Sequence, residues 1–210
     1  MERDLKRHHG FATCLLPVLI CIWGAPLACA QGPDLQPYTR CEFRPQFQTV
    51  QVDGPVEKFA WATQVKSGEA SIAVETGYRV LVTYLMTEPF GNLKVEQLPS
   101  TSYEKAKSDL LSSLEYFASQ PGMDGKVQSV QRNGFALYGV NRSKLEGGVL
   151  GIYNLFSDRD HVAVTMYLLN DEPADRKFDT MEKYATVRDD FLQKYTSCLQ
   201  QNLKHRAAGK

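Results

Sequence analysis

Hydrophobic positions along the chain fall into short alternating runs and two helical stripes. The pattern is clearest from Lys126 to Asn170. Val127–Arg132 and Phe135–Arg142 flank Asn133-Gly134, a pair that readily takes the positive φ both hairpin turn positions need. Gly148–Phe156 (GVLGIYNLF) and His161–Leu169 (HVAVTMYLL) are joined by the polar Ser157–Asp160. Connections this short force antiparallel neighbours, because a parallel crossover needs a dozen residues or more. The last two strands read as apolar on both faces, so both faces of the sheet should be covered.

Two covers are available. Behind Thr101 and Glu104, which read as a capping box, Tyr103, Ala106, Leu110, Leu114 and Phe117 keep helical spacing to about Ser119, and Pro121-Gly122 stops the helix. A final helix is expected from about Asp179 to Leu199, with Asp179 and Glu182 as a second capping-box-like pair. Its apolar face is Met181, Tyr184, Val187, Phe191, Tyr195 and Cys198. Upstream, Thr49–Val52 reads as a short strand ended by Asp53-Gly54-Pro55. Val56–Val65 fits either element: Asp53, Pro55 and Glu57 suit a helix start, while Phe59, Trp61, Thr63 and Val65 alternate as a strand. Ser71–Glu75 and Tyr78–Met86, separated by Thr76-Gly77, read as a hairpin. Asn92–Leu98 alternates as a further strand. The expected fold is α+β, an antiparallel sheet of about six or more strands with a helix on each face.

The first 30 residues read differently. Arg3, Lys6 and Arg7 precede an almost wholly apolar run from Phe11 to Ala28, and Ala28-Cys29-Ala30 offers small residues for a cut before Gln31. That is a secretory signal pattern; the run is short for a membrane span and is interrupted by Pro17, Gly24 and Pro26. A lipoprotein anchored at Cys29 is the alternative. The expected organisation is a signal peptide at 1–30, an extended Pro-rich arm at 31–55, one domain at 56–199 and a flexible tail at 200–210. Of the five cysteines, Cys41 and Cys198 remain after cleavage. In an oxidising compartment they should pair, closing a long loop worth at most about 5 kcal/mol on chain-entropy arithmetic.

The element order and the stretches LKVEQLPSTSYEKAKSDLL and GFALYGVNRSKLEGGVLGIYNLF resemble the PsbP-like fold of exported or lumenal extrinsic proteins. The resemblance spans roughly 71–199. It implies an accessory, non-catalytic binding role and carries no site residues with it; a cystatin-like α+β sheet is the competing layout.

Charge narrows the partners. The chain has 24 basic and 24 acidic side chains. Three of the former and two of the latter lie in 1–30, so the mature chain is nearly neutral. There is no general pull toward nucleic acid or an anionic membrane, and no second long apolar run for membrane insertion of the mature chain. Chemistry is sparse. No G-x-S-x-G, H-E-x-x-H, C-x-x-C or P-loop pattern is present, and His161 and His205 are the histidines left after cleavage. Gly147-Gly148 and Gly151 read as turn and strand glycines. Asp158, Asp160 and His161 are the weak candidates for a cation site; as a hairpin tip with Arg159 between the acids they fall short of three or four converging ligands. Asp171, Glu172 and Asp175 read as a solvated loop. Asp189-Asp190, Lys105, Lys107, Arg188 and Lys194 read as exposed helix charges. Tyr78, Tyr84, Phe90, Tyr138, Tyr153, Phe156 and Tyr167 lie on or beside the sheet, as core packing rather than a ligand surface. Asn141-Arg142-Ser143 is a glycosylation sequon in a eukaryotic setting. The reading is therefore an exported binding or accessory domain with no catalytic residue or cofactor assigned and a protein or small-molecule partner. A hydrolase or isomerase using carboxylates or Tyr, and a carrier of a small hydrophobic molecule, are the alternatives.

Overall fold

The computed structural model describes residues 32–41, 47–64, 72–86, 91–170 and 178–209, all within one compact unit, Gly32–Lys210. The expected signal peptide and the Asp171, Glu172 and Asp175 loop lie outside the described residues. Among the described residues the elements are α1 (Gln36–Thr39), β1 (Phe47–Gln64), β2 (Ile72–Met86), β3 (Gly91–Gln97), α2 (Tyr103–Ala118), β4 (Gln128–Arg132), β5 (Phe135–Asn141), β6 (Val149–Ser157), β7 (Val162–Leu169) and α3 (Met181–Ala208). The seven strands form one antiparallel sheet in the order β1-β2-β3-β7-β6-β5-β4. The fold is α+β.

The Asn133-Gly134 hairpin is present, with φ of 49° and 84° at its two turn residues. The hairpin expected at Thr76-Gly77 is not. β2 runs unbroken through it, with Gly77 paired to Phe59 of β1. A Cβ on Gly77 would lie 2.4 Å from the Phe59 ring: this glycine makes room for an aromatic neighbour instead of turning the chain. Nor does Asp53-Gly54-Pro55 end a strand. The register shifts between Asp53 and Glu57, and β1 continues to Gln64. A bulge absorbs a proline that a regular ladder would exclude, and Val56–Gln64 is strand.

Alternation divides each strand between two layers. Val80, Val82, Leu93, Val95, Leu137, Tyr153, Leu155, Val164 and Met166 face α3 and form the main core with its Tyr184, Phe191, Leu192, Tyr195 and Leu199. The opposite face meets α2 in two smaller clusters. Tyr103 and Ala106 pack near Ala163, and Leu114 and Ala118 pack near Val140 and Ile152. Fully burying a side chain of this size stabilises by about 1.5–3 kcal/mol. The single large core therefore lies under α3.

Helix starts differ from the capping-box expectation. Thr180 caps α3, its Oγ1 accepting from the Lys183 amide at 3.2 Å. At α2, Thr101 and Ser102 donate their hydroxyls to Glu75 of β2, and Ser102 accepts no cap bond from the helix amides; they tie the helix start to the sheet. Within the Pro-rich arm, α1 forms one turn that buries Pro37, Tyr38 and Thr39. Cys41 and Cys198 are disulfide-bonded with Cα atoms 5.9 Å apart. The expected frayed tail is also helical to Ala208. It is held because Gln200 donates to the Asn133 carbonyl, Asn202 to the carbonyls of Pro37 and Arg40, and Arg206 to Asp160. Leu203 adds apolar packing against the main core, and the polar tail residues anchor the helix because acceptors from the arm and a turn come within reach.

Candidate binding site on the sheet

The Ser157–Asp160 turn does not present a free acidic tip. The Asp158 carboxylate accepts from the Tyr103 hydroxyl and Lys107 Nζ of α2, both at 2.7 Å. Asp160 accepts from the Tyr38 hydroxyl of α1 at 2.6 Å and from Arg206 of α3. One turn thus grips a helix on each side of the sheet. The Lys107 and Tyr103 bonds hold the Asp158 carboxyl below its usual range. At Asp160 burial pushes the other way but is outweighed by Tyr38 and Arg206, leaving it low as well. Burial, reinforced by these aspartates, raises the Tyr38 and Tyr103 hydroxyls far above their usual range. His161, at φ 52°, sets its ring 5.2 Å from Tyr103. Among the described residues no group of three or more possible metal ligands converges.

Two helix charges are more than surface decoration. Lys107 Nζ sits over the rings of Tyr103 and Phe156, at 5.8 and 5.6 Å. Arg188 lies over Tyr184 at 5.6 Å. Both are cation–π contacts that could not be read from helix spacing alone. Asp189 and Asp190 pair separately with Arg188 and Lys194.

The aromatics do not converge on one surface. Tyr78 and Tyr153 belong to the α3 side; Tyr138, Phe156 and Tyr167 pack toward α2. Tyr84 and Phe90 lie outside the residues with described side chains. Under α3, Tyr153 and Tyr184 both donate to Asn141 Oδ1, at 2.8 and 3.1 Å. Asn141 is buried by this contact, so in the folded protein its sequon offers no side chain to a glycan.

On the α2 face the sheet carries a polar row that breaks two otherwise apolar strands. Asn154 of β6 stands directly opposite Thr165 of β7, and Thr165 opposite Lys94 of β3. Asn92 of β3, two residues before Lys94, pairs with Tyr167 and so lies diagonally from Thr165. Asn154 and Thr165 are 2 % and 4 % exposed. Yet Asn154 Oδ1, Thr165 Oγ1 and Asn92 Oδ1 are sealed from solvent with no hydrogen-bond partner among the described residues. Asn154 Nδ2 reaches the Leu110 carbonyl of α2 at 3.5 Å. Beside the row, the buried Glu96 carboxylate takes Arg79 Nε and Lys94 Nζ, each at 2.9 Å. An orphaned buried polar group costs about 1–3 kcal/mol, so three oxygens on neighbouring strands form the least satisfied part of this face. The available signal was a polar residue inside each apolar run, Asn154 in GVLGIYNLF and Thr165 in HVAVTMYLL. Their convergence depends on register, which the sequence does not display. Comparison with protein-family models, with curated proteins and with solved structures finds no match to this chain.

Proposed function

We propose that the chain is an exported, non-catalytic binding or accessory domain that takes its ligand on the α2 face of the sheet. The carrying observation is the row of unpartnered oxygens at Asn92, Asn154 and Thr165. Buried polar atoms are ordinarily satisfied, and a ligand that supplies donors accounts for three that are not. Acid–base catalysis needs a group free to exchange a proton. The carboxylates around this face are instead engaged, Glu96 with two cations, Asp158 with Tyr103 and Lys107, Glu75 with two hydroxyls. The signal pattern at 1–30 supports export, to a secreted or periplasmic location, with attachment through Cys29 as the lipoprotein form. The PsbP-like resemblance supports an accessory role. No helix among the described residues is long and apolar enough to cross a membrane.

Thr165→Val tests the reading. Valine keeps the shape and removes the unpartnered hydroxyl. A site kept polar for a ligand should become more stable without it, by about 1 kcal/mol or more, a Tm rise of about 2–4 °C for a domain of this size. A fall in Tm would show that the hydroxyl is satisfied within the fold and would remove the basis for the site.

A further inference from the structure

We infer that Asn133, at the tip of the β4–β5 hairpin, is a modification site that works as a one-way latch. Its side-chain amide is guarded by α3, is lost to water when the end of α3 lifts, and leaves a carboxylate that keeps the helix from reseating. Asn133-Gly134 is the only Asn-Gly pair in the chain. Asparagine is a thermolabile residue, most of all before glycine, whose missing Cβ leaves its amide nitrogen unhindered. The Gly134 nitrogen attacks Asn133 Cγ, the Cγ–Nδ2 bond breaks, and ammonia departs carrying the proton of the attacking nitrogen. Water then opens the cyclic imide at one carbonyl or the other, giving aspartate or isoaspartate.

The native fold holds this chemistry back. Asn133 Nδ2 donates to the Gln193 carbonyl at 3.0 Å and to Thr196 Oγ1 at 2.9 Å. Its Oδ1 accepts from Gln193 Nε2 at 3.4 Å, and its backbone carbonyl accepts from Gln200 Nε2 at 2.9 Å. Side chain and backbone are both tied to α3, so Cγ cannot swing onto the Gly134 nitrogen while these bonds hold. Reaction therefore requires a local opening of the α3 end. Gly134 is exposed, so water for the second step is at hand.

The product no longer fits. A carboxylate has no N–H, and both donations to α3 end. An oxygen in the place of Nδ2 faces the Gln193 carbonyl, acceptor against acceptor. Thr196 Oγ1 is committed to the Leu192 carbonyl at 2.7 Å, and the adjacent cation Arg132 gives its Nη1 to the Gln131 carbonyl. Isoaspartate also lengthens the backbone of a turn in which Arg132 pairs directly with Phe135. Beyond Thr196, the same helix carries the Asn202 bonds to the arm and the Arg206 contact with Asp160. A loosened seat at Asn133 thus weakens the grip of α3 on the arm.

The experiment incubates the mature, disulfide-bonded chain in mildly alkaline buffer. Peptide mass spectrometry follows the conversion of Asn133. Conversion should be at least about tenfold slower in the native chain than in the urea-denatured one, because it needs the opened state. Thr196→Val, which keeps the buried shape, and Gln200→Ala, on the half-buried rim, should each speed native conversion by about threefold or more. Asn133→Asp should raise amide hydrogen exchange at Gln200–Ala208 above that of Asn133→Gly, which loses the same donors without adding charge and keeps the positive φ. Native conversion as fast as in urea, or unchanged in both variants, overturns the guarding role of α3. Exchange in Asn133→Asp equal to that of the parent overturns the latch.

Discussion

At the scale of single residues, the absence of a side chain positions the buried polar network. A Cβ on Gly151 would lie 2.3 Å from the Tyr184 hydroxyl oxygen and 2.9 Å from Asn141 Oδ1. One on Gly139 would lie 2.2 Å from the Tyr153 ring. These glycines are seats for two tyrosines whose hydroxyls meet on one amide oxygen. Gly151→Ala should cost about 1–3 kcal/mol through overpacking, whereas Gly148→Ala, with its nearest atom at 3.8 Å, should cost far less. In a Tyr184→Phe background the Gly151→Ala penalty should shrink, because the closest clashing atom is gone. Urea denaturation of the four corners of that cycle measures the coupling; additive penalties would contradict the geometry.

At the scale of elements, one four-residue turn and the last turns of α3 hold the layers together. Asp158 and Asp160 both titrate below their usual value in the folded state, while an unfolded aspartate titrates near about 3.9. Their contribution is therefore fully present above about pH 4 and is lost as pH falls through the folded values. Asp160→Asn should lower stability at neutral pH and flatten the decline below about pH 4; denaturation midpoints across a pH series will show it. Parallel curves for variant and parent would mean that the Tyr38 and Arg206 contacts contribute nothing. The end of α3 is tested separately. A chain stopped after Leu199 keeps every fully buried core side chain but loses Leu203, which packs against the main core, and Gln200, Asn202 and Arg206, which bind the Asn133 turn, the arm and Asp160. Its Tm should fall by at least about 4 °C, the effect of roughly 1–2 kcal/mol in a domain of this size. An unchanged Tm would return these residues to the status of a tail.

At the scale of the whole molecule, the arm and the far end of the chain are joined three ways. The Cys41–Cys198 bond lies beside the Tyr195 hydroxyl donating to the Tyr38 carbonyl, and Asn202 donates to the carbonyls of Pro37 and Arg40. The long covalent loop restricts the unfolded chain, with an upper bound of about 5 kcal/mol. Exported material should have the intact mass of a chain starting at Gln31 less two hydrogens, and should take up no alkylating reagent when denatured without reductant. Retention of residues 1–30, lipid on Cys29 or two reactive thiols would each contradict this.

The sequence by itself determined the α+β class, the Asn133-Gly134 hairpin, the four consecutive strands β4–β7, the two covering helices and the cysteine pair. Each depends on local periodicity, on turn residues with a conformational demand, or on cysteine number. Tertiary structure decided the rest. Gly77 looks like a turn until Phe59 is placed across from it, and Asp53-Gly54-Pro55 looks like a terminus until a bulge absorbs it. Gln200–Ala208 has only Leu203 as an apolar contact with the core and is otherwise held by acceptors from distant segments. The polar row could not be read at all: Asn92, Asn154 and Thr165 are far apart in sequence. The pairings β6 with β7 and β7 with β3 bring them onto one face, and strand register is a property of the assembled sheet.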